Sequence, residues 1–332
     1  MTATIRTPSK KSMLNVLETA HHVAEISSHV RIRKEAVVDF SRRLYEDGIK
    51  VPLWNKTYHC CEGAQETVSY LLVLDALNFC FWPPGKENRW EVTWRSESLS
   101  GYFALAASLT RAMQSGVPLG RAEYLAGLSV EMLREILGGR GKLQLMEERV
   151  RILNELGYIL DAHYHGEASA LVAAAGSSAE KLVGLLVEGI PSFRDVSEYR
   201  GKPVYFYKRA QIFCADLYGA FEGRKWGHFE DIEQLTAFAD YKLPQVLREL
   251  NILHYDHELA QRVDNKEPLA PGSSEEVEIR ANTILAVDLI REEAASLGRQ
   301  LRNFEIDWIL WDLGQQDGFT SRPHHNTVTI FY

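Results

Sequence analysis

The chain has 332 residues, of which 45% are hydrophobic and 25% are charged, values that are ordinary for a globular protein. Its formal net charge is -8, and it contains no long run of Lys or Arg. These features argue against a nucleic-acid polymer as a partner, because many phosphate contacts supply the affinity in such complexes.

The amino-terminal stretch and the cysteines predict the compartment. The first 20 residues lack the apolar core of a signal peptide, and no apolar stretch approaches the length of a membrane span. The four cysteines, Cys60, Cys61, Cys80 and Cys214, form no CxxC pair. We therefore predict a soluble cytoplasmic protein with reduced cysteines and no membrane contact.

Most of the chain carries apolar residues at the three- and four-residue spacing of amphipathic helices. This spacing predicts helices over residues 26–47, 122–139, 145–166, 176–190 and 273–297.

Local signals mark several helix ends. The Gly pair at 138–139 is a typical helix stop. Ser177 with Glu180, and Ser273 with Glu276, have the spacing of capping boxes at helix starts.

Only two segments predict strands, residues 89–95 and 327–332, where β-branched and aromatic residues are frequent. The region between these two segments shows no alternation of strands and helices, which argues against a doubly wound sheet. The sequence therefore predicts a mainly α protein, a single compact helical domain with a small β element.

Familiar catalytic motifs are absent. The sequence has no HExxH motif, no Cys/His set at zinc-finger spacing and no glycine-rich phosphate loop. It also lacks the GxSxG elbow of many hydrolases. The sequence therefore gives no support for a zinc site, a nucleotide-binding loop or a hydrolase elbow.

Seven aspartates lie in apolar, aromatic-rich surroundings, where a charge is costly unless it is paired or used. They are Asp75, Asp195, Asp216, Asp231, Asp240, Asp307 and Asp312. For any one of them an ion pair is the simpler explanation, and suitable partners are Arg194, Lys208, Arg209 and Arg280. The whole set is harder to explain by ion pairs, because buried Asp is rare. A carboxylate beside a stacked heterocycle suits the cleavage of an N-glycosidic bond, whose transition state resembles an oxocarbenium ion.

Asp240 is flanked by aromatic residues in "FADYKL" (238–243), just before a predicted helix. Its carboxylate can cap that helix by accepting a free backbone N–H. Alternatively, it can line a pocket for a flat ligand that forms hydrogen bonds.

Six blocks in the same order resemble the queuosine salvage protein family, from about residue 20 to the carboxyl terminus. They are "LDALNFCFW" (74–82), "SGYFALAASL" (100–109), "FYKRAQIFCADLYGAF" (206–221), "FEDIEQLTAFADYKLPQVL" (229–247), "EEVEIRANTI" (275–284) and "DWILWDLG" (307–314). The resemblance implies a queuosine 5'-phosphate N-glycosylase that releases queuine for tRNA modification, without metal or organic cofactor. It also implies an extension over residues 1–20 and a glycosylase domain over 21–332.

The family's architecture resembles that of helix–hairpin–helix DNA glycosylases. Residues 229–250 can be read as such a motif, although its usual glycines are missing. In the DNA enzymes a catalytic Asp follows the motif, and the nearest counterpart here is Glu278. The missing glycines and the acidic net charge argue against a duplex DNA substrate.

The family's substrate gives each candidate a role. We expect Asp240 to bind queuine between apolar walls formed by Phe238, Phe79 and Trp82. We also expect the substrate to be bound by three further carboxylates, those of Asp75, Asp195 and Asp312. Lys208 is our choice for the phosphate, with Arg194 in reserve, while the adjacent Arg209 should pair with a carboxylate.

Asp307 is our first choice for the catalytic carboxylate, followed by Asp231 and Glu278. The alternatives are a buried salt bridge from Asp307 to Arg280 or Arg322, and helix capping by Asp231. At the level of function, the alternative to a hydrolase is a non-catalytic carrier of queuine. A weaker alternative is a glycosylase that acts on nucleic acid.

Overall fold

A computed structural model of the chain describes residues 12–60, 63–83 and 87–332. This part of the chain forms fourteen α-helices and three antiparallel sheets of two strands each. The helices are α1 Val16–Glu25, α2 Lys34–Glu46, α3 Ala64–Ala76, α4 Gly101–Gln114, α5 Ala122–Ala126, α6 Val130–Leu137, α7 Met146–Tyr164, α8 Ala168–Ala174, α9 Ala179–Gly189, α10 Lys208–Ala220, α11 Lys242–Glu249, α12 His257–Asp264, α13 Ser274–Ser296 and α14 Asn303–Leu313. The strands are β1 Val30–Ile32, β2 Glu91–Trp94, β3 Glu97–Ser100, β4 Val196–Tyr199, β5 Lys202–Tyr205 and β6 Leu253–Tyr255.

The prediction of a mainly α fold is confirmed. Strands β2 and β3 form one hairpin and β4 and β5 another, while β1 pairs with the distant β6. No helix in the described ranges is both long enough and apolar enough to cross a membrane. The likeness to helix–hairpin–helix DNA glycosylases stays a prediction. Residues 229–250 contain a 3₁₀ turn at Ile232–Gln234, an irregular segment and α11.

Helix α13 lies between the two apolar clusters of the protein. Val277 and Ala281 belong to one cluster, and Ile279 and Ile290 belong to the other. Apolar residues on more than one side of the helix are therefore buried, as expected for a helix that runs through a core. Helices α1, α2, α11 and α14 pack against it.

The predicted boundary at residue 20 lies inside a helix. Helix α1 begins at Val16 and packs against α13 and β5, and Val16 and Ala20 are buried. The packed core therefore includes residues on the amino-terminal side of that boundary, whereas residues 1–11 lie outside the described residues.

The predicted helix over residues 26–47 is shorter than expected, because residues 30–32 form β1. The carboxylate of Glu278 accepts the main-chain N–H groups of Ser28, His29 and Val30 at 2.7–3.0 Å. These contacts from α13 hold the chain extended, and they override the helical spacing of the local sequence.

The predicted helix over 122–139 consists of two helices, α5 and α6. A new cap starts α6, since the Ser129 hydroxyl accepts the N–H of Met132 at 3.2 Å. The helix predicted over 145–166 is confirmed as α7.

The two predicted capping boxes have different outcomes. Ser178, one residue later than predicted, caps α9 and accepts the N–H of Lys181. Ser273 does cap α13, as predicted, and accepts the N–H of Glu276 at 3.3 Å. The reciprocal bond is absent among the described residues, because the Glu276 carboxylate accepts the N–H of Gly272 instead.

Of the two predicted strand segments, 89–95 contains β2, but 327–332 is not a strand. The carboxyl terminus is held by side-chain contacts. The hydroxyl of Tyr332 donates to Glu276 at 2.8 Å, and its ring lies against the Arg280 guanidinium. The main-chain oxygen of Tyr332 also accepts the N–H of Cys80 at 3.0 Å. These long-range contacts replace a strand ladder.

Candidate active site

A cleft with two connected parts forms the candidate site. The first part measures about 200 Å³ and the second about 420 Å³, which together fall in the range of roughly 300–1,000 Å³ typical of small-molecule sites. The residues that line both parts, and so define their junction, are Asn78, Tyr102, Phe103, Lys208, Asp240 and Trp311.

Lys208 is the buried cation at the junction. It is the first residue of α10, and its Nζ donates a hydrogen bond of 2.8 Å to the carbonyl oxygen of Asn78. Burial lowers the pKa of Lys208 to about 8, while the negative charge of Asp240 acts in the opposite direction. The ammonium is therefore kept at the junction by a carbonyl and a nearby carboxylate.

Asp240 both caps a helix and lines the cleft. Its Oδ1 accepts the N–H groups of Lys242 and Leu243 at 2.8 and 2.9 Å, at the start of α11. Burial raises the pKa of Asp240, and the charge of Lys208 and these two N–H bonds oppose that rise. Asp240 therefore caps α11 and also lines the cleft, whereas its binding of a ligand stays a prediction.

Asp307 projects from α14 into the first part of the cleft. One of its oxygens accepts the main-chain N–H of Phe238 at 2.7 Å. The expected alternative of a salt bridge is absent within the described ranges, because Arg280 pairs with Asp195 and Arg322 lies near Glu249. Burial raises the pKa of Asp307 well above its usual range, which favours the protonated carboxyl group.

Asp216 is a further carboxyl group in the first part. Burial raises its pKa to about 7, and the hydroxyl of Tyr102 donates to it at 3.0 Å. Asp75 lies outside the lining of the cleft and is fully buried. Burial first, and then the charge of Asp216, raise the pKa of Asp75 well above normal.

Aromatic rings form the walls of both parts. In the first, Trp311 makes edge contacts with Phe103 and Tyr102, with centroids 5.2 and 5.9 Å apart. The predicted wall residues divide between the parts, since Phe238 lines the first whereas Phe79 and Trp82 line the second. Asp312 lines the first part and is exposed.

Asp231 and Glu278, the second and third choices for the catalytic carboxylate, line neither part of the cleft. The carboxylate of Asp231 accepts the Ser178 hydroxyl and the Ala179 N–H, both at 2.6 Å, at the start of α9. Glu278 binds main-chain N–H groups before and within β1, and accepts the Tyr199 hydroxyl at 2.6 Å. Both carboxylates have their hydrogen-bonding capacity used by the fold.

Three other expected substrate contacts also lie outside the cleft lining. Asp195 forms a bidentate ion pair with Arg280 at 2.6 and 2.9 Å. Arg209 donates to the carbonyl oxygens of Ala76 and Ser192 rather than to a carboxylate, so its expected pairing is corrected. Arg194 is exposed and lines neither part.

Residues 58–332 match the family model described as "Queuosine salvage protein". The chain belongs to this family. A relative from Sphaerobacter thermophilus is 46% identical over 319 residues, which cover 96% of this chain and 98% of the relative. Relatives from Dictyostelium discoideum and Mus musculus are each 37% identical to this chain. Both matches cover 96% of this chain, and they cover 98% of the Dictyostelium relative and 99% of the mouse relative. All three are named "Queuosine 5'-phosphate N-glycosylase/hydrolase".

Several lining residues of this queuosine salvage family member carried no functional signal in the sequence. Residues 52–55 enter the first part from an irregular segment, and Trp54 stacks on His59 at 4.2 Å. Arg89 precedes β2 and lines the second part. No sequence motif connects these segments to the site, because only the packing of distant helices brings them there.

Proposed function

We propose that this chain hydrolyses the N-glycosidic bond of queuosine 5'-monophosphate and releases queuine and ribose 5-phosphate. One observation carries the proposal: in a member of this family, Asp240, Asp307 and Lys208 converge on an aromatic-walled cleft. Such a cleft can stack a base and place carboxyl groups beside its glycosidic bond.

The base belongs in the first part of the cleft. Trp308 and Trp311 offer flat apolar surfaces there, and Asp216 and Asp307 offer hydrogen-bonding groups. Base stacking on aromatic rings is worth about 1–3 kcal/mol per base. The anomeric carbon then lies at the junction, beside Asp240 and Lys208.

The environments of the two carboxyl groups suggest different roles. Burial raises the pKa of Asp240, but Lys208 and two main-chain N–H groups oppose that rise, so its carboxylate is suited to stabilise an oxocarbenium-like sugar or to orient water. Asp307 is held towards its protonated form, so it is suited to donate a proton to the departing base. This assignment moves the anomeric-carbon role from Asp307, our first choice from sequence, to Asp240.

The proposed reaction balances with the substrate and one water molecule as its only reactants. The bond between the base nitrogen and the anomeric carbon breaks, and a bond from that carbon to a water oxygen forms. The proton released by water goes to the carboxylate of Asp240, and the base leaves with a proton from Asp307. A proton exchange between the two carboxyl groups and solvent then restores the starting state.

The test is a turnover assay with the purified full chain and queuosine 5'-monophosphate, with no polynucleotide present and with nuclease treatment to remove bound RNA. Chromatography with mass detection should show queuine and ribose 5-phosphate in equal amounts over many turnovers. Binding of queuine without product would instead support the carrier. Activity that requires added nucleic acid would support a glycosylase acting on a polymer.

A further inference from the structure

The two ends of the cleft have opposite electrostatic character. Beyond the junction, the first part carries the carboxyl groups of Asp216, Asp307 and Asp312 and has no Lys or Arg among its lining residues. Beyond the junction, the second part carries Arg89 and Lys242, and none of its other lining residues has a carboxylate side chain. The second end therefore suits an anion, and the first does not.

The two cations of the second end are only weakly neutralised. The Lys242 Nζ donates to the neutral side chain of Gln245 at 3.2 Å, and it is half-buried. Arg89 is exposed, and its only ion pair in the described part of the chain is a contact of 3.5 Å with Glu91. Exposed contacts of this kind contribute little and leave the guanidinium available for a stronger partner.

Arg89 and Lys242 line the same part of the cleft, where their positive charges repel each other. Burial lowers the pKa of Lys242, Asp240 opposes that effect, and the positive charge of Arg89 lowers the pKa further. His324 lines the same end, and burial lowers its pKa to about 4, so its imidazole is neutral at pH 7. An anion placed between Arg89 and Lys242 would remove their repulsion.

We propose that Arg89 and Lys242 bind the 5'-phosphate of the substrate and thereby select a nucleoside monophosphate over the unphosphorylated nucleoside. A guanidinium can hold two phosphate oxygens in a fork, and an ammonium supplies a point charge to a third. The assignment rests on the proposed hydrolysis, and it orients the substrate with its base in the first part and its phosphate in the second.

This orientation also changes the role of Lys208, which we expected to bind the phosphate. Its Nζ is held by the Asn78 carbonyl at the junction, next to Asp240. Lys208 is therefore a positioning residue for the carboxylate in this account. Arg194, the reserve choice, lies outside the cleft lining.

The test measures the affinity of ribose 5-phosphate by calorimetry, which does not depend on turnover. Arg89→Gln and Lys242→Gln remove one charge each and should each weaken binding about tenfold to a hundredfold, the usual worth of a charge-assisted hydrogen bond. Arg31→Gln and Lys181→Gln remove the same charges from exposed positions outside the cleft and should leave the affinity within about twofold.

A kinetic comparison supplies the specificity readout. The ratio of kcat/KM for queuosine 5'-monophosphate to that for queuosine should fall at least tenfold in both cleft variants. Unchanged ribose 5-phosphate affinity in Arg89→Gln and Lys242→Gln would overturn the assignment, as would a parent protein that does not bind ribose 5-phosphate. Failure to cleave either substrate would instead count against the proposed hydrolysis, while the calorimetry would still decide the phosphate site.

Discussion

Asp307 accepts a hydrogen bond of 2.7 Å from the main-chain N–H of Phe238, two residues before Asp240. This bond joins α14 to the irregular segment that leads into α11. It therefore fixes the Asp307 carboxyl group on α14 relative to Asp240 at the start of α11. For substitutions at either residue, the effect on turnover and the effect on ligand binding should therefore be measured separately.

Asp307→Asn should reduce turnover much more than binding. An amide keeps the size and can still accept the N–H of Phe238, but it cannot transfer a proton. General acid catalysis contributes about 10²–10⁴-fold, so kcat should fall by that amount while queuine affinity stays within about threefold. The exposed Asp161→Asn provides the matched control. A normal kcat in Asp307→Asn would end its assignment as the acid.

Asp231→Ala should affect stability and not turnover. The substitution removes the acceptor for the Ala179 N–H and the Ser178 hydroxyl at the start of α9. Loss of a helix cap costs about 0.5–2 kcal/mol, which urea unfolding can measure. If kcat collapses while the free energy of unfolding is unchanged, Asp231 must be reconsidered as a catalytic residue.

Arg280→Met should be strongly destabilising, because it leaves the buried carboxylate of Asp195 without its cation. Breaking a buried pair in this way costs about 3–5 kcal/mol, measured as the free energy of unfolding. Lys142→Gln breaks the exposed pair with Glu87 and should cost less than about 1 kcal/mol. Equal costs at the two pairs would contradict a structural role for Asp195. If Arg280→Met does not fold, Asp195→Asn tests the same pair from the other side.

Asp216 makes stability depend on pH. Burial raises its pKa from 3.8 to about 7, so the folded protein retains a proton that the unfolded chain loses first. Its contribution to stability therefore falls as the pH rises from about 4 to 7 and is level above that. Asn has no charge, so Asp216→Asn should improve stability more at pH 8 than at pH 5, by about 2–3 kcal/mol. The same change in unfolding free energy at both pH values would show that Asp216 is ionised in the fold.

The sequence predicts the helical architecture because apolar spacing reports which side of a helix is buried. It fails where a distant group decides the local structure. Glu278 holds β1 extended from α13, and Tyr332 anchors the carboxyl terminus without a strand. Neither contact leaves a local pattern, because the partners are far apart in the chain.

The candidate site, too, is predicted in part by local sequence patterns and in part decided by long-range contacts. The aromatic surroundings of Asp240 and Asp307 mark both as cleft residues in the sequence. The same pattern also selects Asp195 and Asp231, because a buried carboxylate in an ion pair or a helix cap has the same neighbours as one in a site. Only the three-dimensional partners separate these cases. The cationic end of the cleft could not be predicted, since Arg89 and Lys242 are far apart in the sequence.

Turnover and queuine affinity in Asp240→Asn test most directly whether Asp240 is the carboxylate at the anomeric carbon. Asn keeps an oxygen that can cap α11, so the fold should be retained. We expect kcat for queuosine 5'-monophosphate to fall by about 10³-fold or more, while the dissociation constant of queuine changes by less than about tenfold. A normal kcat with queuine binding weakened about tenfold to a hundredfold would contradict the claim and would make Asp240 a base-binding residue.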